Sequence, residues 1–108
     1  MSEIGLMGAV DKMSYEFILK SDKNIYVLYD KINYVMESIL MYKVSFKNEK
    51  ATGYKIPWVK NSWGTDVEIF LSEEGVGLDI IIGNVGEITH AIEREMHSSQ
   101  MDFTVEEI

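Results

Sequence analysis

Apolar positions along this chain switch between a period of two and a period near 3.6, and the switches outline its elements. Residues 4–13, IGLMGAVDKM, place Leu6, Val10 and Met13 near helical spacing and predict a short helix, which Gly5 and Gly8 weaken. SYEFILK (14–20) and NIYVLYD (24–30) are rich in aromatic and β-branched residues, with Ser21-Asp22-Lys23-Asn24 between them. That arrangement predicts a β-hairpin. KINYVMESILMY (31–42) sets Ile32, Val35, Met36, Ile39 and Leu40 on one helical stripe, although its Tyr and Val residues also allow a strand.

After Tyr42 the period falls to two. Val44 and Phe46 face one way, and Lys43, Ser45 and Lys47 the other. A polar loop is expected over 48–53 and a strand over 54–60, with Pro57 placing that strand at an edge or bulge. Residues 66–72 alternate, with Val67, Ile69 and Leu71 inward and Asp66, Glu68 and Phe70 outward. The Glu73–Gly77 segment turns the chain and LDIIIG (78–83) returns it. EITHAIEREMHS (87–98) carries Ile88, Ala91, Ile92 and Met96 on a helical stripe, and Met101, Phe103 and Val105 alternate as a last strand or a fraying tail. The expected fold is α+β: an antiparallel sheet of about five to six strands with about two to three helices packed on one face.

At 108 residues, 46% of them apolar, the chain is long enough to bury a core as a single domain, 1–108. It contains no cysteine, which excludes disulfides, thiolate metal sites and thiol redox chemistry. Glu3 and Asp11 interrupt the first stretch, so no signal peptide is expected. No apolar run approaches the roughly 18 residues of a membrane span. A cytoplasmic protein is the expectation.

Residues 59–65, VKNSWGT, resemble the segment that carries the active-site asparagine in papain-like cysteine proteases. In that family the cysteine nucleophile comes first in the chain, then the histidine, then the asparagine. Here there is no cysteine, and His90 and His97 both follow Asn61. A second Trp-Gly pair, usual in the family, is replaced by Asp66-Val67-Glu68. Without a thiolate the chemistry cannot run. Asn61, Ser62 and Gly64 instead predict a turn, with Trp63 folded back as an apolar anchor.

Other candidate chemistry fails on spacing. His90, Glu93 and His97 share a helix face, but the two histidines stand about 10 Å apart along the axis, too far for one ion. Gly75, Gly77, Gly83 and Gly86 match neither phosphate-binding glycine pattern, and Glu73, Glu74 and Glu87 would repel phosphate. Paired carboxylates occur at Glu73/Glu74 in a turn and at Asp66/Glu68 on a strand. No catalytic constellation, metal site or cofactor site emerges, so a non-enzyme is expected.

Charge is unevenly spread. Residues 1–60 are net +2, whereas residues 61–108 hold eleven Asp or Glu against Arg94 alone, within a total of −8. The expected function is a small acidic binding or inhibitor protein whose C-terminal half docks on a basic protein, as immunity proteins and inhibitors of nucleases or toxins do. Its candidate partner-binding residues are Asp66, Glu68, Phe70, Glu73, Glu74 and Asp79, with Glu93 and Glu95 secondary. One alternative is a single-stranded nucleic-acid module over 42–63. There Lys43, Lys47, Lys50, Lys55 and Lys60 interleave with Tyr42, Phe46, Tyr54, Trp58 and Trp63. The negative field of the whole chain opposes that reading, and nucleic acid is not the expected partner. Another alternative is a homo-oligomeric structural protein joined through Phe70 and Ile81.

Overall fold

Among the described residues, six strands form one antiparallel sheet, and two helices lie on one side of it. The computed structural model describes residues 14–60 and 64–108, so the expected helix at 4–13 and the turn residues Asn61, Ser62 and Trp63 lie outside the described residues. The strands are β1 (Tyr15–Ser21), β2 (Lys43–Lys47), β3 (Ala51–Lys55), β4 (Val67–Leu71), β5 (Val76–Ile80) and β6 (Phe103–Glu107). Helix α1 runs Ile25–Tyr34 and continues as a π-helical turn, Val35–Ile39; α2 runs Val85–Ser98. The sheet order is β2-β3-β4-β5-β1-β6. The α1 connection carries the chain from β1 to the β2 edge, and α2 carries it from β5 to β6.

The 24–30 strand of the expected hairpin is helical. Asn24 accepts the Tyr26 N–H at 2.7 Å and caps the helix start. Beyond that cap Leu28, Tyr29, Ile32, Val35 and Met36 fall on one stripe and are buried. Helical burial therefore overrides the strand preference of Tyr and Val, which mostly reflects packing on a sheet. The residues from Lys31 onward extend this same helix.

The third strand also differs from expectation, starting at Ala51 and ending at Lys55. Asn48 Oδ1 accepts the N–H groups of Lys50 and Ala51 at 2.9 and 3.0 Å, closing a tight turn that brings Thr52 and Gly53 into the sheet. Pro57 consequently lies beyond the strand, second in a turn closed by Val59 N–H to Ile56 O at 3.1 Å, where its fixed φ fits. The return strand likewise runs Val76–Ile80, ahead of the expected 78–83.

The core fills the layer between sheet and helices. Leu19, Ile69, Leu78 and Ile80 from the sheet meet Leu28, Ile32, Met36, Ile88, Ile92 and Met96 from the helices, all buried. Polar groups at this interface are bonded. Tyr29 Oη pairs with Thr52 Oγ1 at 2.9 Å, and the Tyr54 hydroxyl lies against Asn33 Oδ1 and, at 2.9 Å, Glu37 Oε2. Burial and the Glu37 hydrogen bond hold the Tyr54 hydroxyl well above its ordinary pKa.

Both helices end on a residue with positive φ other than glycine: Met41 at 62° and Gln100 at 57°. At α2, Met101 N–H reaches Met96 O at 2.9 Å and Gln100 N–H reaches His97 O at 3.1 Å, a Schellman ending that buries Met101. The left-handed conformation costs an L-residue roughly 1–2 kcal/mol. Gln100→Gly should therefore raise stability by about 1 kcal/mol in urea titrations. An unchanged or lower midpoint would show that the Gln100 side chain compensates the strain.

Candidate partner-binding face of the sheet

Alternation along the strands gives the sheet two unlike faces. Val67 and Ile69 of β4 and Leu78 and Ile80 of β5 point to the helices, as the sequence pattern requires, while Leu71 is half-buried at the core margin. Glu68, Phe70 and Asp79 point the other way, and no described element covers that side.

Register assembles the open face into rows. Phe46 of β2 stands opposite Gly53 of β3, which stands opposite Glu68 of β4, then Asp79 of β5, then Glu16 of β1. The next row is Ala51, Phe70, Gly77, Ile18 and Glu106. Three carboxylates are thus direct cross-strand neighbours. Like charges in that relation are destabilising. Among the described residues, no lysine or arginine forms an ion pair with Glu16, Glu68 or Asp79.

Asp79, in the middle of the row, shows the consequence. Burial, then the charges of Glu16 and Glu68, push its carboxyl up to about 6. The folded protein holds this proton more tightly than the unfolded chain does. Asp79 therefore lowers stability as pH rises from about 4 to 6, and the loss is constant above that window.

The two glycines in these rows sit beneath aromatic rings. A Cβ at Gly77 would collide with the Phe70 ring, and one at Gly53 with the Phe46 ring. Phe70 is therefore half-buried, laid across its cross-strand glycine, and is not the freely exposed anchor that the sequence pattern implies.

The six expected contact residues do not form one patch. Glu68, Phe70 and Asp79 come together on the open face. Glu73 and Glu74 are exposed in the β4–β5 turn, at the opposite end of the strands from Glu68 and Asp79. Glu73 borders a groove of about 460 Å³ that Lys50 also lines, so the charge there is mixed. Asp66 is no surface residue at all. Its side chain is fully buried, Oδ2 accepts the Ile56 N–H at 2.8 Å, and Lys55 Nζ lies 3.9 Å away. It tolerates burial because it is bonded, which strand alternation alone does not reveal.

Glu16 and Glu106 are the open-face carboxylates that the reading of the C-terminal half missed. They belong to strands at opposite ends of the sequence, joined only by β1–β6 and β1–β5 pairing. The composition of SYEFILK marks a strand, but nothing local places Glu16 beside Asp79.

The alternative sites are dispersed. Tyr42 and Tyr54 are buried, whereas Trp58 is exposed and meets Tyr42 edge-on at 5.7 Å. Asp79 separates Phe70's partner Gly77 from Ile81 along the chain. No cluster of three or more His, Asp or Glu among the described residues could hold a metal ion, and no helix there is long and apolar enough to cross a membrane.

No protein-family model matches the chain, and no curated protein or solved structure matches it either.

Three substitutions check this geometry. Asp66→Ala should cost about 1–3 kcal/mol, because it leaves the Ile56 N–H without its acceptor, whereas Glu68→Ala should change stability by less than about 0.5 kcal/mol. Comparable losses from both would contradict the assignment of one as buried and the other as open. Asp79→Asn should stabilise the protein at pH 7 by up to about 1 kcal/mol. That gain should vanish by pH 4, where Asp79 is protonated. Persistence of the gain at pH 4 would assign it to shape instead of charge.

Proposed function

We propose that this chain is a small acidic binding protein that presents the open face of its sheet to a basic protein partner. The observation that carries this reading is the carboxylate row Glu16–Asp79–Glu68, set opposite one another on three adjacent strands. Such a row opposes folding, and a row retained against its own repulsion is relieved when a cationic surface covers it. Phe70 beside it supplies apolar area, and the glycines beneath the rings keep the face low enough for close approach.

Inhibition of a nucleic-acid-binding enzyme or toxin is the form of this function we favour. Such a partner offers a surface built for phosphate, which a carboxylate array can occupy. The contact set is Glu16, Glu68, Phe70 and Asp79. Asp66 contributes to it only by holding β4 in place. Glu73 and Glu74 lie outside the row.

The test is charge reversal. Glu68→Lys with Asp79→Lys should leave the fold intact, because both side chains face outward. Binding to a partner recovered from the source cell should slow markedly, and the difference should shrink as salt screens the field. Association of the unmodified protein should also weaken below pH 6, as Asp79 takes up its proton. A folded double variant that binds the same partner with unchanged kinetics would remove the face from the mechanism.

A further inference from the structure

A second surface, on the opposite sign of charge, lies at the β2 edge. The strand forms one border of the sheet, and all five of its residues are exposed. Among the described residues, Lys43–Lys47 receive backbone hydrogen bonds from β3 alone. Residues 41–60 carry five lysines against Glu49 as their single acid, in a chain of net charge −8. Exposed apolar side chains stand among these lysines. Met41 is 64% exposed and Trp58 65%, with Trp58 held against buried Tyr42 at the start of β2; Val44 is exposed on the strand itself.

An unpaired edge can take up another strand, and its side chains decide which one. A second copy of β2 fits poorly. It would bring together two strands that each carry Lys43 and Lys47 and no acid, and like charges held side by side are destabilising. The register shift between Val44 and Phe46 turns Lys43 and Lys47 to opposite faces of the sheet. A single-stranded nucleic acid would need a run of stacking surfaces, but Tyr42 and Tyr54 are buried and Phe46 lies over Gly53, which leaves Trp58 without a described neighbour to continue the stack. An acidic extended peptide meets each requirement. Its backbone completes the ladder, carboxylates on its two faces answer Lys43 on one side of the sheet and Lys47 on the other, and apolar side chains reach Val44 and Trp58.

We propose that the β2 edge is a docking site for an acidic extended peptide segment, added antiparallel or parallel as a seventh strand. This site is separate from the acidic face, so either can fail without the other. The probe is a capped peptide of Glu and Val with Glu on both of its faces, titrated into the isotope-labelled protein while backbone amides and the Trp58 indole are followed. Shifts should concentrate on Lys43–Lys47 and Trp58, and a Lys/Val peptide of the same length should produce none. The exposed double variant Lys43→Glu with Lys47→Glu should lose affinity for the Glu/Val peptide by about tenfold and gain it for the Lys/Val peptide. The proposal is overturned if millimolar Glu/Val peptide causes no shift at β2, or if both peptides bind equally. It is also overturned if an oligothymidine displaces the peptide and binds more tightly, or if sedimentation shows that the edge is already occupied by a second copy.

Discussion

Asp66 is where three strands are tied together. Its N–H donates to Tyr54 O at 2.7 Å, and its carbonyl accepts Ile81 and Ile82 N–H at 2.8 and 3.1 Å. Its carboxylate takes the Ile56 N–H as β3 ends. One residue thus closes the end of β3, the start of β4 and the end of β5. A buried acid is costly unless such donors meet it. With them in place, the register that aligns Glu68 with Asp79, and Phe70 with Gly77, is held from one end of the sheet.

Everything on the open face follows from that register. A slip of one residue would turn the carboxylates into the core and the aliphatic residues out to solvent. The inner face blocks the slip, because Val67, Ile69, Leu78 and Ile80 have no other place to be buried. The open face adds its own constraint through Phe46 on Gly53 and Phe70 on Gly77, pairs that fit only when each ring meets a residue without a Cβ. Core burial therefore supplies the free energy that holds three like charges side by side. The same alternation separates an acidic face from a lysine-rich edge, so one thin sheet offers two surfaces of opposite sign.

Much of this fold was legible along the chain. The composition of 14–20, the alternation in 43–47 and 66–72, and the helical stripe in 87–98 each name an element the structure contains, although a bulge in 43–47 turns Val44 and Phe46, expected on one side, to opposite faces. The misreading of 24–30 has a local cause. Tyr, Val and Ile suit a strand, and only the continuation of the stripe into Val35 and Met36, together with Asn24 as cap, distinguishes the helix. The misplaced β3 has another cause: turn chemistry at Asn48 outweighed the aromatic run that follows it. Three of the four proposed contact residues were legible as well, since Glu68, Phe70 and Asp79 alternate outward in their own strands.

By itself, then, the sequence determined the α+β class, the single sheet, the face that Glu68, Phe70 and Asp79 share, and the concentration of negative charge beyond residue 60. These depend on periods and compositions that a few neighbouring residues carry. Tertiary structure alone decided that Asp66 turns inward, that Glu16 joins Asp79, and that Lys43 and Lys47 sit on the strand that ends the described sheet. Each of these depends on which strands become neighbours. Strand order is set by packing the helices over one face, a long-range choice that no local period encodes.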